Sequence, residues 1–227
     1  MNVLTRVIRK VVRRAGYDMI HYVPWRNLFE RCGIDLIFDV GANAGQSYES
    51  FRWAGFQGPI CSFEPNPEVF QRLQQHPGYD WQRFPYALSD HSGQAKFYIT
   101  DDDNSNSLQR PLGRAVVKEI AVPVHRLDEF WRQQNFTAQK VFLKIDTEGH
   151  DQDVIKGATG ILDRIQLIMV ESPARPRYEG EATIPDMLKF MADLDFCLCR
   201  AEKNCYNTQA GMDTALDVVF ARRELIP

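Results

Sequence analysis

The chain has 227 residues, 44% of them hydrophobic and 25% charged, with a formal net charge of −3. This is ordinary globular composition at a length that favours one large domain, and it lacks the broad basic excess that nucleic acid as a main partner would require. Five cysteines form no dense framework, and neither a secretory leader nor an apolar run long enough to span a bilayer occurs, so a reduced, cytoplasmic, non-spanning protein is expected.

Residues 1–16 read as a separate piece. At helical spacing Val3, Leu4, Val7, Ile8, Val11 and Val12 occupy one half of a helix, Arg6, Arg9, Lys10, Arg13 and Arg14 the other, and Gly16 ends it. Such a basic amphipathic helix suits peripheral contact with an anionic membrane at the inner surface of the cell. The blander alternative, an apolar face packed on the domain, is favoured, because one short helix binds membranes weakly.

Residues 17–227 read as a single domain. Apolar runs at 34–40, 59–63, 82–88, 141–145 and 167–170 alternate with amphipathic segments at 45–54, 67–76, 127–134 and 151–164. Near-continuous apolar strands separated by helices predict a parallel sheet covered on both faces. Further strands are expected at 96–100 and 119–124, and the runs 196–200 and 216–222 predict a C-terminal antiparallel pair. Cys197 and Cys199 fit one face of a core strand better than a thiolate metal site, which would call for C-x-x-C or a nearby histidine. The polar stretch 101–107, D-D-D-N-S-N-S, reads as a loop.

The first strand runs into D-V-G-A-N-A-G-Q-S, residues 39–47. Ligands of open parallel sheets bind at the carboxyl ends of the strands, where this turn falls. Gly41 and Gly45 would let the backbone approach a ligand closely, Ala42 lies between, and Asn43 and Ser47 add polar groups. A dinucleotide site would show G-x-G-x-x-G, but here the spacing is G-x-x-x-G with Asn43 where the second glycine belongs. Asp39 would repel a pyrophosphate yet suits a cation, and S-adenosylmethionine carries a sulfonium and an ammonium without phosphate. The second strand ends in C-S-F-E-P-N-P, placing Glu64 where an acid accepts hydrogen bonds from ribose hydroxyls. Either acid could instead cap the following helix.

With D-V-G-A-N-A-G, F-E-P-N-P-E-V-F-Q-R-L, A-L-S-D-H-S-G-Q-A-K-F-Y, N-S-L and K-I-D-T-E-G-H-D-Q-D-V-I-K-G-A in this order over residues 36–171, the chain resembles the FkbM-type methyltransferases. The resemblance implies a Rossmann-like class I methyltransferase fold, an α/β architecture with a mostly parallel seven-stranded sheet, and S-adenosyl-L-methionine as methyl donor. It also implies O-methylation of a hydroxyl on a saccharide, a glycan or glycolipid, or a secondary metabolite. Carried over, Asp39, Gly41, Asn43 and Gly45 form the loop for the methionine moiety, Glu64 is the ribose acid, and Ala87 and Leu88 flank the adenine.

The fourth strand delivers K-I-D-T-E-G-H-D to the same rim. Methyl transfer to oxygen needs in-line placement and removal of the hydroxyl proton. Asp146 is the first choice to face sulfonium and acceptor, and Glu148 or His150 to take the proton. His150 has the solution pKa of a base, but the family does not require histidine there. Asp146, Glu148 and Glu171, which ends the fifth strand, could also converge on a divalent cation such as Mg²⁺. The fourth strand lacks the N-P-P-Y or D-P-P-Y ending of many nucleic acid base methyltransferases, again disfavouring that substrate. The acceptor is expected to be chosen by residues 101–111 and by 172–183, the latter with Arg175, Arg177 and Tyr178, loops at this edge. A nicotinamide oxidoreductase and a non-catalytic cofactor-binding module are the competing readings.

Overall fold

The computed structural model describes residues 24–207 and 212–226. The basic helix expected over residues 1–16 lies outside them. In chain order the elements are α1 (Trp25–Cys32), β1 (Leu36–Val40), α2 (Gln46–Trp53), β2 (Ile60–Phe63), α3 (Pro67–Gln75), β3 (Trp81–Phe84), β4 (Ala87–Leu88) and β5 (Gly93–Thr100). They continue as β6 (Val116–His125), α4 (Leu127–Gln134), β7 (Val141–Ile145), α5 (Asp151–Lys156), β8 (Ile165–Pro173), α6 (Ile184–Asp193), β9 (Phe196–Asn207) and β10 (Met212–Arg222).

Seven strands form one sheet in the order β3-β2-β1-β7-β8-β10-β9. β1 pairs in parallel with β2 on one side and β7 on the other, β8 continues in parallel, and β10 closes antiparallel against β8 and β9. Every residue of β1 and of β7 is buried, because both faces are covered. By alternation Leu36, Phe38 and Val40 enter a core with Phe63, Phe130, Leu143 and Ile168, while Ile37 enters a second core with Phe29, Phe51 and Phe142. The chain leaves β1 towards β2 and β3 and returns at β7, so the strand order reverses between β1 and β7. The carboxyl ends of those two strands define the crevice where an open α/β sheet binds ligands.

The structure departs from the sequence pattern at particular residues. The run 82–88 is not one strand. Pro85 interrupts it, leaving β3 in the large sheet while β4 joins a separate three-stranded sheet with β6 and β5. The segment 151–164 breaks after Lys156 and resumes as a 3-10 helix at Thr159–Arg164; at the break the backbone of Gly157 is pressed onto Ser89, where a Cβ would lie 2.0 Å from the carbonyl oxygen. Helix α6 carries a Thr183–Asp186 capping box with Pro185 in its first turn, a start signal the periodicity reading passed over. β9 is the sheet edge, so Cys197 is half-buried and Cys199 exposed.

Candidate active site

The glycine loop crosses the carboxyl end of β1 and is held from beneath. Gly41 and Ala42 donate to the Phe63 carbonyl at 3.0 Å, and Asp146 donates to the Val40 carbonyl at 2.9 Å, which joins the ends of β1, β2 and β7. Gly41 has φ +76°, and a Cβ there would sit 1.9 Å from the Asp146 carbonyl oxygen. Only glycine allows so close an approach of loop and strand end. Asn43 is also left-handed, at φ 47°. Its own N–H donates to Glu64 Oε2 at 3.0 Å, and Asn66 donates its N–H to Glu64 Oε1 at 2.8 Å. Both oxygens of Glu64 thus brace backbone, and burial pushes this carboxyl up to about 7.

A cavity of about 360 Å³, within the range of small-molecule sites, opens above this rim. Of the residues singled out in the sequence, it brings together Gly41, Ala42, Asn43, Ser47, Glu64, Ala87, Leu88, Asp146, Glu148 and Glu171. Three others stand outside its lining. Gly45, at φ 103°, ends the loop at the start of α2. Asp39 is fully buried behind the loop, accepting from Ser62 Oγ at 3.1 Å and facing the Lys144 ammonium at 3.1 Å. His150 turns away to place Nε2 3.0 Å from Ser89 Oγ and Nδ1 3.0 Å from Gln109 Nε2, and burial lowers its pKa.

Lys144 was missed by the sequence reading. It points from β7 into the cavity wall, 3.1 Å from Asp39, 3.4 Å from Asp146 and 3.2 Å from the Gly41 carbonyl. It hydrogen-bonds the Gly41 carbonyl and forms ion pairs with the two carboxylates. Burial works against its charge, but Asp39 and then Asp146 outweigh that and raise its pKa. The available signal was a lysine inside the apolar run V-F-L-K-I.

Glu148 follows in a turn with φ 55°, and Gly149 continues it at φ 91°. A left-handed non-glycine residue costs energy and persists where its surroundings enforce it. Here the buried Ser107 hydroxyl donates to the Glu148 carbonyl at 2.6 Å and accepts from the Gln109 N–H at 2.9 Å. Burial, then the charge of Glu171, pushes the Glu148 carboxyl up to about 8. Asp146, Glu148 and Glu171 each offer an oxygen within 4.8 Å of the others, a spacing a cation could bridge. The charge of Glu171 is already met by Arg177, whose Nη1 and Nη2 donate to its two oxygens at 3.1 and 2.7 Å.

Residues 101–112 cross over the cavity and contribute Asp103, Asn104, Asn106 and Leu108 to its lining. At the cofactor-loop end Asn43 Nδ2 donates to Asn104 Oδ1 at 3.1 Å, and Arg72 pairs with Asp103 at 2.5 Å. At the opposite end the Tyr178 hydroxyl donates to the Ser105 carbonyl at 3.1 Å, and Leu112 and Glu179 bond backbone to backbone with Arg177 and Arg110. Of the two loops expected to frame the acceptor, each thus rests on the other.

Known proteins resemble this chain. The methyltransferase FkbM domain matches residues 39–198. The 2-O-methyltransferase NoeI of Sinorhizobium fredii is 24% identical over 176 residues, covering 70% of this chain and 72% of that one. The hexuronic acid methyltransferase AglP of Haloferax volcanii is 28% identical over 145 residues, covering 60% of this chain and 55% of its own length. Among solved structures, magnesium protoporphyrin IX methyltransferase from Synechocystis with bound SAM aligns at a TM-score of 0.47 and 10% identity, over 96% of this chain and 79% of that one.

Proposed function

The chain belongs to the FkbM methyltransferase family and takes its methyl group from S-adenosylmethionine, and from that premise we propose that it methylates a saccharide hydroxyl on oxygen. The observation that carries the reading is the joint lining of one cavity by the glycine loop, Glu64 and the carboxylates Asp146 and Glu148. Support for a sugar comes from the two relatives, one named for 2-O-methylation and the other for a hexuronic acid.

The residues present fit the cofactor. Gly41, by lacking a Cβ, seats the loop against the Asp146 carbonyl rather than opening it to a ligand as the spacing suggested, and Glu64 stands at the end of β2, where a ribose hydroxyl would find it. The lining acids suit a cationic donor, whereas a pyrophosphate would meet Glu64, Asp103 and Asp146. Lys144 is the one cation among the described lining residues, and its N–H groups are already engaged. This chemistry disfavours a nicotinamide dinucleotide. When bound, S-adenosylmethionine supplies an activated methyl group on its sulfonium.

In this reading Asp146 orients the acceptor hydroxyl and Glu148 takes its proton. Glu148 is the better base, because a carboxyl with a pKa of about 8 accepts a proton far more readily than an ordinary one. His150 holds the turn from behind. Asp39, out of the cavity, acts by fixing Lys144 and through it the loop. Ala87 and Leu88 form the wall for the adenine. Peripheral contact of residues 1–15 with an anionic membrane stays the less favoured of the two readings of that segment.

The test is calorimetric titration with S-adenosylmethionine and S-adenosylhomocysteine, with and without Mg²⁺, followed by methyl transfer to a panel of glycosides. Micromolar binding and a methyl ether on a sugar product are expected. Absence of binding by either would remove the reading, and a metal-dependent transfer would restore the cation bridge. Co-sedimentation with anionic vesicles, with and without residues 1–15, tests the membrane contact; unchanged partitioning on truncation would remove it.

A further inference from the structure

Three carboxylates within 4.8 Å of one another, as Asp146, Glu148 and Glu171 are, repel each other unless positive charge is brought to them. Two side chains of this chain bring it. Lys144 meets Asp146 at 3.4 Å. Arg177 meets the other two. Its Nη1 and Nη2 donate to the two oxygens of Glu171 at 3.1 and 2.7 Å, and Glu148 Oε2 lies 3.7 Å from the same Nη2. A guanidinium set on a carboxylate by two parallel N–H groups fixes its orientation as well as its charge.

Arg177 is itself fixed from behind. Its Nη2 and Nε reach Glu181 Oε1 at 3.0 and 3.3 Å, and Glu181 also accepts from the backbone N–H groups of Arg177 and Tyr178. The Arg177 carbonyl accepts from the Leu112 N–H at 2.6 Å, which ties the same residue to the crossing segment. Moving the guanidinium away would strand Glu171 and Glu181, both buried, and an unpaired buried carboxylate is strongly disfavoured.

A divalent cation bridging the three acids would have to share the oxygens of Glu171 and Glu148 with this fixed positive charge. Mg²⁺ demands a near-ideal octahedral shell of oxygens, and a guanidinium 2.7 Å from one of them repels it. Resting on the methyltransferase reading above, we infer that Arg177 is a positioning residue that takes the part of a divalent cation at Glu148 and Glu171, so that methyl transfer runs without a metal ion. It holds the proposed base beside Glu171 in spite of their like charge, and it keeps residues 172–183 against the turn that carries Glu148. Without the guanidinium the three acids are left spaced for a cation, and the site gains affinity for one.

The test titrates the full chain with Mn²⁺, which shares the oxygen-rich octahedral preference of Mg²⁺, and follows binding by electron paramagnetic resonance. Arg177→Met is expected to bind Mn²⁺ roughly tenfold or more tightly than the unaltered protein, and adding Glu171→Gln should abolish the gain. Should Arg177→Met fail to fold, Arg177→Met with Glu181→Gln, which leaves no charge stranded at position 181, carries the same expectation. Methyl transfer by the unaltered protein should be unchanged by EDTA. Equal Mn²⁺ affinity with and without the guanidinium would overturn the inference, as would transfer abolished by EDTA and restored by Mg²⁺. Failure to bind S-adenosylhomocysteine would instead strike the methyltransferase reading and leave the Mn²⁺ comparison standing, so the two failures are distinct.

Discussion

The Lys144 ammonium stands 3.1 Å from the Asp39 carboxylate, with both side chains buried. The acid at the head of the glycine loop is therefore neutralised by the next strand of the sheet, through register neighbours on β1 and β7. Lys144→Met should destabilise the protein by about 3–5 kcal/mol, because it leaves Asp39 charged and alone. The double variant Asp39→Asn with Lys144→Met should recover much of that loss. Denaturant unfolding of the three proteins checks it; additive losses would mean that the pair is not coupled.

Glu64 accepts from two backbone N–H groups, and in the proposed role it needs an ionised carboxylate to accept from a ribose hydroxyl as well. Glu64→Gln turns one acceptor into a donor facing an N–H. Affinity for S-adenosylmethionine should fall by about 1–3 kcal/mol. With its carboxyl pushed up to about 7, the unaltered protein should bind more tightly as pH rises through that value. Calorimetry from pH 6 to 8 would show the trend, and it should vanish in the variant.

As the proposed base, Glu148 must be ionised to take a proton, and its carboxyl is pushed up to about 8. Methyl transfer should therefore rise with pH and level off above that point. Glu148→Gln should lower turnover by about 10²–10⁴-fold and flatten the profile. The same shift has a stability consequence. A carboxyl whose pKa is raised by folding contributes stability below the ordinary carboxyl range and loses it as pH rises through the raised value. Glu148→Gln should accordingly raise the melting temperature at pH 9 and leave it unchanged near pH 4.

Ser107 holds the strained turn at Glu148 by a hydrogen bond to its carbonyl. Ser107→Ala leaves that carbonyl and the Gln109 N–H unpaired, which should cost about 1–3 kcal/mol of stability. Turnover should fall while affinity for S-adenosylhomocysteine stays the same, since the cofactor loop is not touched. Equal losses in both would show that Ser107 supports the whole rim instead.

Several of these residues were legible before any coordinates. The glycine loop, Glu64 and the K-I-D-T-E-G segment stand out because close backbone approach and strand-end acids leave local marks in sequence. The seven-stranded sheet followed from apolar runs alternating with helices. Lys144 was harder, because Asp39 lies on another strand far away in sequence, and strand register settles that the two meet. His150 misled for the same reason: its titration range suggested a base, but Ser89 and Gln109 draw the imidazole away from the cavity. Pro85 was the overlooked mark of the break that sends Ala87 and Leu88 into the second sheet.

The crossing segment touches Asn43 through Asn104 and Tyr178 through the very next residue, Ser105. One short stretch of chain thus closes over the cofactor loop and frames the acceptor side at once. Any change of sequence there that admits a different sugar also alters what rests on Asn43. Under the proposed assignment, affinity for the donor and choice of acceptor are tied through this one stretch of chain.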